Sequence, residues 1–505
     1  MKHRIPQIAA ALVGMAATAH AVSPQSDDLL LLKDGRIVSD RPISRDGEFA
    51  VVTYENGEVR VPMDMVESLV KPGEDWLPES EEERKQYEDG KVLFEGRYVP
   101  IKTRDREVDK RLKAERERIE EDRQHSYWGK RREDESKNFM WAYTVPEHIK
   151  EGFVARCESY YTQFCKDWKV KRDPRKPKMY MNFYNDAGEF RKVGGAGGGA
   201  LAYFMFLGNY DLNAYYDRLD PEFTEMVLYH ELSHYLQKLI NEDFKVPHWP
   251  GEGVAEYYGG ALWNAKAKKL DIGLIQDGRL AEVKNDIALG NYMSLRKTVT
   301  VDQYEDYNWG WTLVHFFMNT KYKKGFQKYM KGIANDKNVK RVPGPFGLKT
   351  VSPEESLRYL MECLKVKGDD GIDKLEKEWH DYVDNELQLS GVKGLENAAS
   401  GALSLGKRIQ AKRLFQEAID AGSRNPSTFL KYAQLIRNKD RDRAIELLRR
   451  ATELDPITAQ YHYELGKTLK RSGEKEEGEK LIALAKEMNE EVDKNDFDFS
   501  EVSDD

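Results

Sequence analysis

The pattern of hydrophobic and polar positions divides the chain into four stretches. Residues 27–71 contain short runs in which apolar and polar residues alternate, with turn residues such as Asn56-Gly57 between them, and they predict strands. In residues 72–138, opposite charges recur three or four positions apart, which predicts a solvated helical connector. Residues 139–390 contain strands predicted at 175–184 and 202–207, followed by helical spacing of apolar residues that dominates from 221 to 388, and a helical pattern with a fixed period fills 394–489. We therefore expect a multidomain α+β protein.

Two of these stretches resemble known folds. The short strands of residues 27–71 look like a small SH3-like or Sm-like β-barrel, which would serve either as a binding module or as a spacer. In the last stretch, Ala411 recurs as Ala444 after 33 positions and as Gly478 after a further 34. This period resembles that of the tetratricopeptide repeat, a helical hairpin of ~34 residues. The resemblance implies an α-helical solenoid that docks a protein partner, and the alternative is a cap that packs on the preceding domain.

The most informative motif is His230-Glu231-Leu232-Ser233-His234, inside a helix predicted for residues 221–241. A spacing of four positions puts both histidines on one helix face, where two imidazoles can bind one zinc ion. Glu231 then lies beside the open metal position, where a general base for water belongs. The motif therefore predicts a catalytic zinc centre.

A catalytic zinc ion needs a third protein ligand, and a carboxylate from a second helix is the candidate. Glu252 lies in W-P-G-E-G-V-A-E-Y at residues 249–257, and Glu256 follows one turn later. Glu256 is either the competing ligand or a residue that holds a ligand histidine by a hydrogen bond.

The two motifs together resemble those of the gluzincin metallopeptidases, the superfamily of thermolysin and aminopeptidase N. The resemblance implies a thermolysin-like peptidase domain over residues 139–390 and one Zn²⁺ per chain, held by His230, His234 and Glu252. Seventeen residues separate His234 from Glu252. This is one fewer than is usual in the aminopeptidase N branch, and a loop between helices can absorb the difference.

A third segment, Tyr307-Asn-Trp-Gly310, resembles the Y-x-x-G segment that opens a later helix in the same branch. The resemblance implies that Tyr307 donates a hydrogen bond to the oxyanion of the reaction, and a phenol is a neutral donor suited to that task. Tyr304 is the alternative donor. The cluster of aromatic residues here is also compatible with a purely structural core.

Gluzincins also keep an exposed edge strand beside the zinc that pairs with the substrate backbone. The glycine-rich residues 193–200, which are too rich in glycine for a helix, and a strand predicted at 202–207 occupy the matching place. The alternative is an ordinary flexible loop.

These motifs predict a zinc-dependent metallopeptidase. The aminopeptidase signature G-x-M-E-N, which grips the substrate's amino group, is absent, so endopeptidase action is favoured. The competing hypothesis is a non-catalytic scaffold or adaptor with a peptidase-like zinc-binding domain. The intact Glu231 argues against it, because a scaffold does not need a base. The substrate, cleavage preference and oligomeric state stay open.

The net charge and the N-terminal sequence indicate the class of partner and the cellular location. A net charge of −8 argues against a nucleic-acid partner. A basic start, an apolar run and Ala19-His20-Ala21 are typical of a Sec-type signal peptide over residues 1–21. We therefore expect a periplasmic or extracellular protein without a membrane span after cleavage, and an uncleaved anchor is the alternative. The acidic residues 490–505 predict a disordered tail.

The three cysteines do not form a disulfide framework. Cys157 and Cys165 would lie about 12 Å apart along a helix, too far for a bridge, so they are expected to be buried hydrophobic residues. A bridge between Cys157 and Cys363 stays open.

Overall fold

The structure is a computed structural model that describes residues 28–33, 36–70, 80–94, 96–195, 202–204, 211–217, 221–241, 246–300, 307–343 and 349–489. The chain divides into two compact units, Met1–Ala114 and Glu115–Asp505. The fold is mixed α and β, as predicted, with helices predominating and several small sheets. The predicted signal peptide and the predicted acidic tail lie outside the described residues.

The first six strands form two antiparallel sheets of three strands each. They are β1 Leu29–Leu32, β2 Ile37–Ser39, β3 Ile43–Asp46, β4 Phe49–Tyr54, β5 Gly57–Pro62 and β6 Val66–Val70. One sheet has the order β2-β1-β6 and the other β3-β4-β5. A barrel requires a ladder of hydrogen bonds that closes on itself. No ladder joins the two sheets among the described residues, so the predicted closed SH3-like barrel is not found there.

The hairpin predicted around Asn56-Gly57 is present, but its turn lies one residue earlier. Tyr54 pairs with Gly57, so the loop consists of Glu55 and Asn56. The positive φ angle of 155° falls on Gly57, which adopts it readily because it lacks a Cβ atom.

The stretch predicted as a helical connector, residues 72–138, also contains strands. Its first elements are α1 Glu81–Glu88, β7 Lys91–Phe94, β8 Arg97–Pro100 and α2 Ile101–Gln124. The strands β7 and β8 form a hairpin, and Phe94 is buried with Leu29 and Val108 in a small core. The predicted helix is present in α1 and α2, and the prediction is wrong at β7 and β8, because apolar alternation within a charged stretch is enough to bury one face of a strand.

The second unit is built on a five-stranded sheet with the order β12-β13-β11-β10-β9. Its elements are β9 Arg132–Glu135, β10 Phe139–Tyr143, α3 Glu147–Trp168, β11 Met179–Tyr184, α4 Ala187–Gly194, β12 Ala202–Phe204 and β13 Asp211–Tyr215. The three central strands are parallel, and both edge strands run antiparallel to their neighbours. The sheet therefore begins within the predicted connector, at β9.

Helices follow the sheet and share one apolar core with it. They are α5 Pro221–Ile240, α6 His248–Gly259, α7 Asp277–Ala288, α8 Leu295–Thr300, α9 Tyr307–Asn319, α10 Lys323–Gly332, α11 Pro353–Leu364 and α12 Gly368–Asn385. Two short hairpins lie between them: β14 Leu262–Asn264 with β15 Lys269–Asp271, and β16 Arg341–Pro343 with β17 Lys349–Val351. Large aromatic residues fill the core, among them the buried Trp141, Trp168, Trp309, Trp311 and Trp379.

The C-terminal stretch is helical, as predicted, and forms three successive helical hairpins. They are α13 Gly391–Ser404 with α14 Arg408–Asp420, α15 Pro426–Ile436 with α16 Arg441–Leu454, and α17 Ala459–Ser472 with α18 Lys475–Met488. The recurring small residues are buried in the second helix of each hairpin, at Ala411, Ala444 and Gly478. A Cβ atom on Gly466 would lie 2.7 Å from the Gly478 carbonyl oxygen, so the last two helices touch backbone to backbone.

The first repeat helix packs on α7. Asp277 at the start of α7 accepts hydrogen bonds from the Ser390 N–H at 2.9 Å and from Asn397 at 3.3 Å. Ala281, one turn further along α7, packs against the core of the repeats. The repeats therefore belong to the same compact unit as the sheet and the central helices.

The described cysteines are free thiols. Cys157 and Cys363 are buried and Cys165 is partly buried, so the bridge left open between Cys157 and Cys363 is absent. No helix in the described part of the chain combines the length and the apolar character needed to cross a bilayer.

Candidate metal centre

Two adjacent helices bring the predicted metal ligands together. The helix α5 corresponds to the helix predicted for residues 221–241, and it buries Leu228, Leu232 and Leu236 on its inner face. His230 and His234 lie one turn apart on a half-buried face of the same helix. Glu252 on α6 faces both of them.

The three ligand atoms lie at the separations that a tetrahedral metal ion requires. The Nε2 atoms of His230 and His234 are 3.2 Å apart, and Glu252 Oε2 is 3.3 Å from each. Zinc bonds of about 2.0–2.1 Å in tetrahedral geometry place neighbouring ligand atoms about 3.3–3.4 Å apart. Within the described residues, these three form the one cluster with metal-holding geometry.

The chemistry of the donor set also suits zinc. Glu252 Oε2 is buried, and no donor reaches it with acceptable hydrogen-bond geometry. A buried carboxylate oxygen is costly unless it is paired or coordinates a metal ion. Two imidazoles and one carboxylate are a ligand set typical of catalytic zinc, and they leave one position open.

Small residues let the motif helices approach closely. A Cβ atom on Gly253 would lie 2.5 Å from Val314 Cγ2 and 2.9 Å from the Gly310 carbonyl oxygen, so only glycine is accommodated where α6 meets α9. A Cβ atom on Gly259 would lie 3.1 Å from Gln276 Nε2 and in ordinary contact, at 3.5 Å, with the Cβ of His230 on α5. Gly253, which follows Glu252 in its motif, therefore lets α6 pack closely against α9 beside the site.

Glu256 lies behind His230 rather than in front of it. Its Oε1 is 3.3 Å from His230 Nδ1, the nitrogen on the far side of the ring from Glu252. Gln276 donates to its Oε2 at 3.3 Å, and Arg279 pairs with its Oε1. In this position Glu256 accepts the Nδ1–H of His230 and directs Nε2 towards Glu252. The structure thus brings Glu252, and not Glu256, to the two Nε2 atoms.

Negative charge dominates the electrostatics of the site. Burial by itself would lower the pKa of His230, but the carboxylates of Glu256 and Glu252 raise that pKa well above its ordinary value. Burial opposes the ionisation of Glu252, yet His234 and His230 hold its pKa well below the usual range. Burial is likewise outweighed at Glu256, where Arg279 and then His230 hold the pKa at about 2. Two ionised carboxylates around an imidazole favour a cation in the same place.

Two further predicted residues, Glu231 and Tyr307, lie near this cluster. Glu231 follows His230 on α5, is half-buried, and is close enough to contribute to the raised pKa of that histidine. Tyr307 is the first residue of α9, and its hydroxyl lies 3.5 Å from His248 Nε2. Tyr304, the alternative oxyanion donor, lies outside the described residues.

The predicted edge strand is present in part. The strand β12 covers residues 202–204, forms one edge of the main sheet and packs beside α5, and residues 205–207 of the predicted strand lie outside the described residues. Val193 and Gly194 belong to the end of α4, so the expectation that the glycine-rich stretch is not helical fails for its first two residues. Residues 196–200 lie outside the described part.

Sequence reasoning missed two residues of the site, His248 and Arg279. The Nε2 atom of His248, the first residue of α6, lies 3.6 Å from Glu252 Oε1 and near Tyr307. His248 precedes Glu252 by four positions, and this helical spacing was a signal that could have found it. Arg279 belongs to no motif, and only the packing of α7 brings it to Glu256.

No protein-family model matches this chain, and a search of curated proteins found no match either. The likeness to gluzincins therefore rests on the motifs, and the case for a metal site rests on its geometry.

Proposed function

We propose that the protein is a zinc-dependent metallopeptidase that cleaves bonds within peptide or protein chains. The observation that carries the proposal is the convergence of two imidazole nitrogens and one buried carboxylate oxygen at 3.2–3.3 Å from one another. Glu231 stands next to one of these ligands on the same helix, where a general base would be needed.

Each residue of the site has a separate role in the proposed reaction. His230, His234 and Glu252 would hold the zinc ion, which when bound polarises the scissile carbonyl and eases the deprotonation of water. Glu231 takes the proton of the attacking water and passes it to the leaving amine. The Tyr307 phenol donates a hydrogen bond to the carbonyl oxygen as negative charge develops there.

The surroundings of the site support a peptide substrate. Among the described residues, β12 lies at the edge of the sheet with β13 as its one neighbouring strand, so an extended peptide could add to its other side as a further strand. In this proposal the C-terminal helical hairpins are tetratricopeptide-like repeats that dock a protein partner, and the signal peptide exports the chain to the periplasm or the exterior. The substrate is then a peptide or protein at that location.

Metal content and hydrolysis test the proposal separately. The purified protein should hold about one zinc per chain by elemental analysis, and a His230→Ala/His234→Ala double variant should hold none. Glu231→Gln should keep its zinc but lose casein hydrolysis by ~10²–10⁴-fold, because it keeps the size of the side chain and removes the base.

The matched control is Glu222→Gln, an exposed position in the first turn of the same helix, which should keep full activity. A wild-type protein that binds zinc at this site but cleaves neither casein nor any cellular protein in an N-terminal proteomic comparison would support the scaffold hypothesis instead. Full zinc occupancy in the double histidine variant would refute the metal assignment.

A further inference from the structure

Arg279 on α7 contacts two different helices of the site. Its Nη2 atom pairs with Glu256 Oε1 on α6 at 2.5 Å, and its Nη1 atom donates to Asn308 Oδ1 on α9 at 3.4 Å. The guanidinium carbon also lies 5.4 Å from the centre of the Tyr307 ring. One side chain therefore touches both the support of a proposed metal ligand and the proposed oxyanion donor.

On the α6 side, Arg279 is the second hydrogen-bond donor to the Glu256 carboxylate. Glu256 is only 4% exposed, and a carboxylate so deeply buried is costly unless a cation pairs with it. Gln276 donates to one carboxylate oxygen and Arg279 to the other. Because both oxygens are held, Oε1 stays directed at His230 Nδ1, 3.3 Å away.

On the α9 side, Arg279 lies against one face of the proposed oxyanion donor. A guanidinium within about 6 Å of a ring centre is attracted to the ring face. The hydroxyl of Tyr307 lies 3.5 Å from His248 Nε2. The Tyr307 side chain is therefore contacted at its ring by Arg279 and at its hydroxyl by His248. Arg279 reaches Glu256 and Asn308 with two different nitrogen atoms of its planar guanidinium, whereas lysine has a single nitrogen.

We infer that Arg279 is a positioning residue that orients the zinc ligand His230 through Glu256 and orients Tyr307 through its contacts with α9. The inference rests on the proposed function and deepens it. In this inference α7, which belongs to none of the motifs, fixes the positions of the metal ligand His230 and the oxyanion donor Tyr307 relative to each other.

Two substitutions in the full-length protein separate the two contacts. Arg279→Gln should weaken zinc binding by about 10–100-fold in a chelator competition, because it releases the partner of a ligand histidine. Arg279→Lys keeps a cation beside Glu256, so its zinc affinity should stay within about threefold of wild type. With zinc saturating, both variants should lose kcat by about 10–100-fold at a nearly unchanged KM, because Tyr307 is misplaced.

A double-mutant cycle tests whether Arg279 acts on zinc through Glu256. Arg279→Gln in a Glu256→Gln background should weaken zinc binding no further than Glu256→Gln alone, since the shared path is already broken. The matched control is Arg437→Gln, which breaks a buried ion pair of 3.0 Å with Glu464 in the repeats and should leave zinc affinity unchanged.

The outcomes are distinct. An Arg279→Gln variant with wild-type zinc affinity and wild-type kcat, or a loss of zinc affinity that adds fully to that of Glu256→Gln, would overturn the inference while leaving the proposed function intact. A wild-type protein that binds zinc but has no hydrolytic activity would overturn the proposed function and the Tyr307 half of the inference, and the zinc measurements would still decide the Glu256 half. A wild-type protein that binds no zinc would overturn both.

Discussion

Replacing Gly253 with alanine would perturb the contact that holds α6 against α9. The added Cβ atom would lie 2.5 Å from Val314 Cγ2 and 2.9 Å from the Gly310 carbonyl oxygen, whereas ordinary contacts begin at 3.4 Å. The two helices would therefore have to separate by about 0.5–0.9 Å, since one obstacle is rigid backbone. Overpacking of this kind typically costs about 1–3 kcal/mol.

Gly251→Ala, on the same helix, is the control that separates the free-energy cost of overpacking from the general effect of replacing glycine with alanine. A Cβ atom on Gly251 would meet nothing closer than 3.6 Å. Alanine is favoured over glycine within a helix by about 1 kcal/mol, and this gain is common to both variants. Gly253→Ala should therefore be less stable than Gly251→Ala by about 1–3 kcal/mol in the free energy of unfolding measured with guanidinium chloride.

The same pair of variants links packing to the metal site. Glu252 immediately precedes Gly253, so separation of α6 and α9 should move its Oε2 from its position 3.3 Å from both Nε2 atoms. Zinc affinity should fall in Gly253→Ala and stay unchanged in Gly251→Ala. Adding Val314→Ala should restore part of the loss only, because the Gly310 carbonyl remains. Equal stability and equal zinc affinity of the two alanine variants would refute the close packing of these helices.

Three further predictions concern single residues. Glu252→Ala should weaken zinc binding more than Glu256→Ala, whose loss of a supporting contact should cost about 10–100-fold; a chelator competition in the reverse order would make Glu256 the ligand. Asp277→Ala should lower the free energy of unfolding by about 1–3 kcal/mol, because the hydrogen bonds that Ser390 and Asn397 donate to this buried carboxylate are lost; an unchanged denaturation midpoint would contradict this. Burial lowers the pKa of His315 from 6.5 to about 4, so protonation is less favourable in the folded state than in the unfolded state. Up to about 3 kcal/mol of stability is therefore present above pH 6.5 and should be lost as the pH falls from 6.5 to 4. Denaturation across this range should show a steeper fall for wild type than for His315→Gln, and equal slopes would contradict the assignment.

Local patterns in the sequence determined those features that depend on nearby residues. The four-residue spacing of His230 and His234 places both rings on one face of α5 whatever surrounds the helix. The 33- and 34-residue recurrence of small residues likewise predicted the C-terminal helical hairpins, because each hairpin buries its small residues at the same place. Charge patterning was a poorer guide in residues 72–138, where a few apolar residues such as Phe94 suffice to form strands.

Only the tertiary structure decided which carboxylate meets the histidines. Glu252 and Glu256 lie one turn apart on the same helix face, so helical spacing leaves both as candidates for the metal ligand, and the choice of Glu252 came from the resemblance to gluzincins. The way α6 packs between α5 and α9, with Gly253 at the α9 contact and Gly259 at the α5 contact, brings Glu252 to the two Nε2 atoms and leaves Glu256 behind His230. Arg279 lies 23 positions after Glu256 in the sequence, and the packing of α7 brings the two side chains together. Neither the helical period nor the spacing of a motif predicts a contact over so long a sequence separation.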